Sequence, residues 1–315
     1  MRAVHVPAAG EQPQLSDLPV PEPAEGQVLI TVKAAGLNAI DNAIAAGMMA
    51  QMMPHEYPLV LGRDAAGVVE AIGAGVDGIT VGDEVFGHVL LAPPIQAGTL
   101  GEYAVLPAAA VAAKPAGIDF VTAAAIPLAG AAAIALVDAV DPQPGQTVLV
   151  VGASGGVGSY AVQLLAARGA TVLATGTADD AERLRDLGAT TVIDYTTGPV
   201  AEQALADNPT GVDALVDVVS YAPDGMALSA VRKGGKVAST LGAAHDETLA
   251  GAGLTGSNVN AGPVREIIAP LAEQAAAGRL KVDVETVLPL EQAADGLATL
   301  AGGKARGKIV VKISD

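Results

Sequence analysis

Residues 147–177 read TVLVVGASGGVGSYAVQLLAARGATVLATGT, and the chemistry they suggest is phosphate binding. A continuous apolar run, 147–151, has the pattern of a strand covered on both faces. It enters the turn Gly152-Ala153-Ser154-Gly155-Gly156-Val157-Gly158. Glycines there let the backbone turn sharply and approach a pyrophosphate closely, and the helix that follows offers free N–H groups to the phosphates. The usual first glycine is Ala153, so the form is A-x-G-G-x-G. Ser154, Gly155, Gly156 and Val157 are therefore candidate cofactor contacts. Gly152 to Gly156 also fit the G-x-S-x-G pattern of a hydrolase nucleophile. The second strand at dinucleotide-site spacing favours the nucleotide reading.

That second strand ends Thr175-Gly176-Thr177, where an NAD site usually carries an acid for the ribose 2′-hydroxyl. Hydroxyls and a glycine leave room for a 2′-phosphate, and Arg183, with Arg185 behind it, could supply positive charge. Tyr195 closes the next strand and joins the candidate set. The expected cofactor is NADPH. Asp179 and Asp180 are read as first-turn helix acids, favoured there by the dipole.

Elsewhere the chemistry is thinner. His5, His55, His88 and His245 are far apart, and His55-Glu56 has no second histidine at helical spacing. With no cysteine in the chain, disulfides and cysteine-ligated metals are impossible, and the expected metal is none. Met48, Met49, Met52 and Met53 fall within six residues, and their four-residue repeat could form one helical stripe. They are either core packing or an adaptable apolar wall for a substrate. A net charge of −17 argues against nucleic acid and anionic membranes. Apolar runs fall short of a membrane span, and the N-terminal stretch lacks a signal-like apolar core, so a cytoplasmic protein is expected.

At 315 residues, the elements that must position these groups exceed one ordinary core. Up to about residue 117 the chain shows short β-branched segments (2–6, 27–35, 65–73, 102–107) punctuated by Gly, Pro and Asp. Then a helix pair over 119–140 gives way to regular alternation. Strands near 147–153, 170–176, 190–195, 212–220 and 234–240 are interleaved with helices over 157–168, 181–187 and 200–206. Such alternation means βαβ units and a doubly wound parallel sheet. Helices over 264–277 and 291–300 and a strand over 308–313 complete the α/β chain.

This order of segments resembles the medium-chain dehydrogenases/reductases, within them the zinc-independent quinone oxidoreductases. The likeness rests on GLNAIDNAIAAG (36–47), YPLVLGRDAAGVVEAIGAGVDGITVGDEVFG (57–87), GTLGEYAVLP (98–107), AAAIPLAGAAA (123–133), the glycine turn, LRDLGATTVIDY (184–195) and LPLEQAADGLATLAGGKARGKIVVKI (288–313). It implies a GroES-like β domain over 1–120 and 261–315, with a Rossmann domain over 121–260. It also implies a homodimer.

Zinc-dependent relatives place a cysteine where this chain has Asn38, and His-Glu where it has Arg63-Asp64. The resemblance therefore implies chemistry without zinc. Alcohol oxidation needs an alkoxide stabilised, which zinc does well. Reduction of a quinone or conjugated C=C needs less, because conjugation spreads the developing charge and one or two donors suffice. The candidate catalytic residues are Asn38, Arg63 and Tyr57. Asn38 could bond the nicotinamide ribose or a substrate carbonyl, or be a turn asparagine. Arg63-Asp64 could be an internal ion pair, Tyr57 a buried structural tyrosine, and Asp41 a helix-start residue. Ala43, Met49 and Ala132 depart from family substrate contacts, while Arg306-Gly307-Lys308 match. The expected activity is NADPH-dependent reduction of a small apolar quinone or α,β-unsaturated carbonyl. The alternatives are a dedicated enoyl or ketone reductase of biosynthesis, and a non-catalytic NADPH-binding protein.

Overall fold

In the first 131 residues, β-branched runs between tight turns form strands β1 (Arg2–Val6), β2 (Gln14–Asp17) and β3 (Gln27–Gly36), then helix α1 (Ala39–Ala45). Next come β4 (Leu59–Val60), β5 (Asp64–Ile72), β6 (Glu84–His88), β7 (Tyr103–Pro107) and β8 (Val111–Ala113). Helix α2 (Phe120–Ala124) starts where the Asp119 side chain accepts from the Thr122 N–H at 2.7 Å. Helix α3 (Pro127–Val140) opens on a proline, whose missing N–H costs nothing at that position.

The computed structural model describes residues 1–303 and 305–314, and the chain divides into two compact units. One is Met1–Ala131 with Gly262–Asp315, the other Ala132–Ala261. The second unit holds β9 (Thr147–Val151), α4 (Gly156–Ala167), β10 (Thr171–Gly176), α5 (Ala181–Asp186), β11 (Thr191–Asp194), α6 (Val200–Asp207), β12 (Val212–Asp217), β13 (Val231–Ser239), α7 (Asp246–Gly251) and β14 (Thr255–Asn258). Its strands pair in parallel in the order β11-β10-β9-β12-β13-β14. The order reverses direction at β9, which places the β9–α4 turn at a topological switch point, where such sheets bind ligands. Leu173, Leu149, Leu215 and Val237 lie opposite one another on successive strands and are all buried. Each contributes roughly 1.5–3 kcal/mol of burial.

The chain then returns to the first unit with α8 (Arg265–Ala276), β15 (Val284–Pro289), α9 (Ala293–Ala301) and β16 (Lys308–Lys312). β16 pairs antiparallel with β3, extending a sheet of order β15-β16-β3-β5-β6-β8, with β7 also on β3. One line of this sheet joins distant parts of the chain. Gly36 faces Val310 on one side and Asp64 on the other, and Asp64 faces His88. Residues about 270 apart in sequence are thus brought to one place at the end of β3.

The helix pair and the parallel alternation have the expected form. Two elements differ. Strand β14 is polar and mostly exposed, so it carries no apolar signal; it forms by pairing alone, at the sheet edge. Helix α1 stops at Ala45, and the methionines continue as turns, Gly47 taking φ +68°. They do not form one stripe. Met48 and Met52 point to solvent, at 72% and 74% exposure, while Met49 and Met53 pack on the core. Residues 48–53 lie in turns outside any helix, so the four-residue repeat does not set a single face.

Candidate active site

The phosphate turn is built as its residues require. Gly152 sits at φ +86°, a conformation open to glycine at no steric cost. Gly155 caps α4, and a Cβ placed there would meet only the Gly152 carbonyl oxygen, at 3.6 Å. A Cβ on Gly158 would lie 2.1 Å from that oxygen and 2.6 Å from Ala153 Cα. Gly158 is therefore needed so that α4 can lie against β9, whereas Gly155 leaves an open cradle in front of the first-turn N–H groups. Backbone N–H groups at such a helix start, with the dipole behind them, suit a pyrophosphate.

The candidate residues around the turn divide into those that face outward and those that hold it. Thr175 is buried, and its hydroxyl accepts the Gly152 N–H at 2.9 Å; it shapes the turn from within. The Thr177 N–H and hydroxyl both donate to Asp180 Oδ2, at 2.9 and 2.8 Å. Arg183 Nη2 donates to Asp180 Oδ1 at 2.9 Å and to the Ser154 carbonyl at 3.1 Å. The acid just before α5 is thus turned inward and paired with a cation. Tyr195 is half exposed, its N–H directed at the Gly176 carbonyl at 3.3 Å.

The other candidates converge in the first unit on a buried polar cluster. Asn38 is the N-cap of α1, and its N–H donates to Asp41 Oδ2 at 2.8 Å. Its side chain is committed at both ends: Nδ2 donates to Asp64 Oδ2 at 2.9 Å and to the Gly36 carbonyl at 3.4 Å, while Oδ1 accepts from Lys308 Nζ at 2.6 Å. Lys308 also donates to the Leu37 carbonyl at 2.8 Å and lies 3.7 Å from Asp64. Asp64, wholly buried, is the hub. His88 Nδ1 lies 2.7 Å from Oδ1, and the Leu128 N–H reaches both oxygens at 3.2 and 3.3 Å. Arg63 Nη2 donates to the Ala97 carbonyl at 2.7 Å.

Asp64 therefore bonds His88, Asn38 and Lys308, and Arg63 is held by a backbone carbonyl. Tyr57 is partly buried, edge-on to the His55 ring at a centroid distance of 6.4 Å. Asp41 begins a helix, as expected, and does more. Burial pushes its carboxyl up to about 7, against the pull of Arg63. Burial also lowers Lys308 and Arg63, with Asp64 and Asp41 opposing in both cases. Sequence reasoning missed His88 and the contact role of Lys308, since only strand register brings them to Asp64.

The raised Asp41 value has a stability consequence of definite sign. The folded protein holds this proton more tightly than the unfolded chain, so the contribution is fully present below about pH 4 and is lost as pH rises through about 7. Three units correspond to about 4 kcal/mol at most. Wild type should therefore lose stability relative to Asp41→Asn between pH 5 and pH 8, read by urea denaturation at each pH. A constant difference would refute a protonated Asp41.

Among the described residues, no three His, Cys, Asp or Glu side chains are grouped to hold a metal, and no helix is long and apolar enough to cross a membrane. Family models match two stretches: an alcohol dehydrogenase GroES-like domain over 24–116 and a zinc-binding dehydrogenase over 187–311. The chain is 34% identical over 303 residues to the chloroplastic NADPH-dependent alkenal/one oxidoreductase of Arabidopsis thaliana, covering 94% of this chain and 74% of that one. Its fold matches a solved NAD-dependent alcohol dehydrogenase at TM-score 0.89, with 31% identity and all of both chains covered. It matches the Escherichia coli quinone oxidoreductase complexed with NADPH at TM-score 0.86, with 27% identity and 99% of each chain covered. The switch-point glycine turn, the GroES-like sheet and these likenesses agree: the chain belongs to the medium-chain dehydrogenases/reductases and is a quinone-oxidoreductase-like enzyme among them.

Proposed function

We propose that this enzyme is an NADPH-dependent, zinc-independent reductase of quinones or α,β-unsaturated carbonyls. The observation that carries the cofactor choice is the inward-turned Asp180. Its carboxylate is spent on Thr177 and Arg183, so this acid is not free to accept a ribose 2′-hydroxyl as an NAD site requires. The residues fit the cofactor. Backbone N–H groups of Ser154, Gly156 and Val157 would hold the pyrophosphate in the cradle in front of Gly155, whose own N–H donates to the Gly152 carbonyl at 3.2 Å. Thr177, Arg183 and Tyr195 would flank the adenosine ribose. NADPH, when bound, supplies a hydride. The acceptor proposed is a small apolar conjugated carbonyl or quinone, as the names of the alkenal/one and quinone relatives suggest.

The protein's share is orientation and exclusion of water. Met49 and Met53, set on the core, offer an adaptable apolar surface. Asn38 has both amide ends engaged, so it acts as a positioning residue that fixes the 36–41 turn. Asn38 and Arg63 stand where zinc-dependent relatives carry metal ligands, and neither an amide nor a guanidinium is a usual zinc ligand. The purified protein is expected to carry no stoichiometric zinc by elemental analysis, and chelators should leave quinone reduction unchanged. The homodimer and cytoplasmic location belong to the same proposal, and sedimentation and cell fractionation test them.

The direct test follows NADPH oxidation with 9,10-phenanthrenequinone and a medium-chain enone beside ethanol oxidation. Ethanol outpacing both acceptors would overturn the proposal. NADPH should bind more tightly than NADH, and Arg183→Ala should narrow the gap. An equal or reversed preference in wild-type titrations would remove the argument from Asp180.

A further inference from the structure

Six buried side-chain nitrogen and oxygen atoms among the described residues lack a hydrogen-bond partner in the protein, and five sit on residues grouped around Arg63. They are Arg63 Nε, Asp41 Oδ1, both His55 ring nitrogens and Thr99 Oγ1. One short segment ties most of them together. Residue Ile95 bridges to His55, the Ala97 carbonyl accepts from Arg63, and the Thr99 N–H donates to the Gly62 carbonyl at 3.1 Å. Asp41 and His55 both feel the Arg63 charge. Asp41, Arg63 and Thr99 are at most 1% exposed. A buried polar atom left unpaired costs about 1–3 kcal/mol, so such a concentration marks a built polar site. Its donors and acceptors suit ordered water, which takes two to four partners in such places.

We propose that this site is a hydrated proton store, in which Asp41 supplies, through water and His55, the proton that completes reduction of a conjugated carbonyl at carbon. The inference rests on the reductase reading above. Hydride addition to the β-carbon forms a C–H bond, the C=C pair becomes the Cα=C bond of an enolate, and the carbonyl π pair moves onto its oxygen. The α-carbon then takes a proton. The O–H bond of the Asp41 carboxyl breaks, its electrons stay as carboxylate beside Arg63, and solvent returns the proton. The groups facing Asp41 are consistent with this cycle. Arg63 and Lys308 favour its carboxylate, Asp64 opposes it, and burial favours the acid. His88 is held by Asp64. Burial and Arg63 both keep His55 neutral, so one ring nitrogen can accept a proton while the other donates.

A quinone needs no such store, because a hydroquinone oxygen exchanges protons freely with water. Asp41 is a positioning residue by this account, acting through other groups. The test compares kcat for 1-octen-3-one with kcat for 9,10-phenanthrenequinone in wild type and in Asp41→Asn, whose amide oxygen can still accept the Asn38 N–H. The enone-to-quinone ratio should fall at least tenfold in the variant. In wild type the ratio should fall as pH rises through about 7, so the test survives a variant that fails to fold. Infrared spectra of the cofactor-free protein should show, against Asp41→Asn, a protonated-carboxyl band at pH 6 that is gone by pH 8.5. An unchanged, pH-flat ratio, or a carboxylate at pH 6, overturns the proton store while leaving the reductase reading intact. A wild type that oxidises NADPH with neither acceptor overturns the reading and the store with it.

Discussion

Gly155→Val should weaken NADPH binding by more than a hundredfold, over ~2.7 kcal/mol, while leaving the melting temperature near that of wild type. Gly155 has φ −84° and ψ 177°, extended backbone that a β-branched residue adopts readily. Its Cβ would meet nothing closer than 3.6 Å, so the fold has room for it. The space filled is the space a pyrophosphate needs in front of α4. Gly158→Ala, the smaller change, should behave differently. Its Cβ would sit 2.1 Å from the backbone oxygen of Gly152, which has no flexible end to swing away. Helix α4 must lift from β9, at a cost of about 1–3 kcal/mol or more, so stability and binding should fall together. Fluorescence titration and thermal melts on both variants separate the cases. Normal NADPH binding by a folded Gly155→Val protein would place the phosphates elsewhere.

These glycines also show how far local pattern reaches. The turn, the strand before it and the helix after it are legible because their determinants are contiguous: apolar run, glycines, amphipathic helix. The parallel order follows for the same reason. Side-chain direction is harder. Thr175 and Asp180 carry the right chemistry for a ribose site, yet both turn inward, because the Gly152 N–H and the Thr177 N–H need acceptors. The acid read as an ordinary first-turn residue is the one that pins Thr177 and pairs with Arg183.

The polar cluster was legible only in part. Asn38, Arg63 and Asp64 stood out through likeness to metal-binding relatives. His88 and Lys308 did not, since nothing near either residue signals that β6 and β16 flank the same end of the sheet. Register decides it, and register depends on pairings dozens to hundreds of residues apart. The pull of burial on Asp41 is equally invisible in sequence, where a carboxylate after a helix N-cap looks like ordinary capping. Strand β14 escaped because its Thr, Gly, Ser and Asn side chains gave no alternation to read.

The largest stability effect should come from the hub of that cluster. Asp64→Ala removes the acceptor for Asn38 Nδ2, His88 Nδ1 and the Leu128 N–H, and leaves Lys308, 3.7 Å away, as a buried cation without its carboxylate. Breaking a buried pair by deleting one partner costs about 3–5 kcal/mol, because the surviving charge is stranded. Against a total domain stability of about 5–15 kcal/mol, that should lower the melting temperature markedly and diminish soluble yield. Replacing both charges tells whether the loss is electrostatic. Asp64→Asn with Lys308→Met keeps similar shapes, retains an oxygen for the Leu128 N–H and strands no ammonium. The double variant should be more stable than either Asp64→Ala or Asp64→Asn alone, with a favourable coupling of at least ~1 kcal/mol in a double-mutant cycle with Lys308→Met. Additive losses in urea denaturation would mean that Asp64 and Lys308 act separately, and that the cluster at the end of β3 is held by its neutral hydrogen bonds.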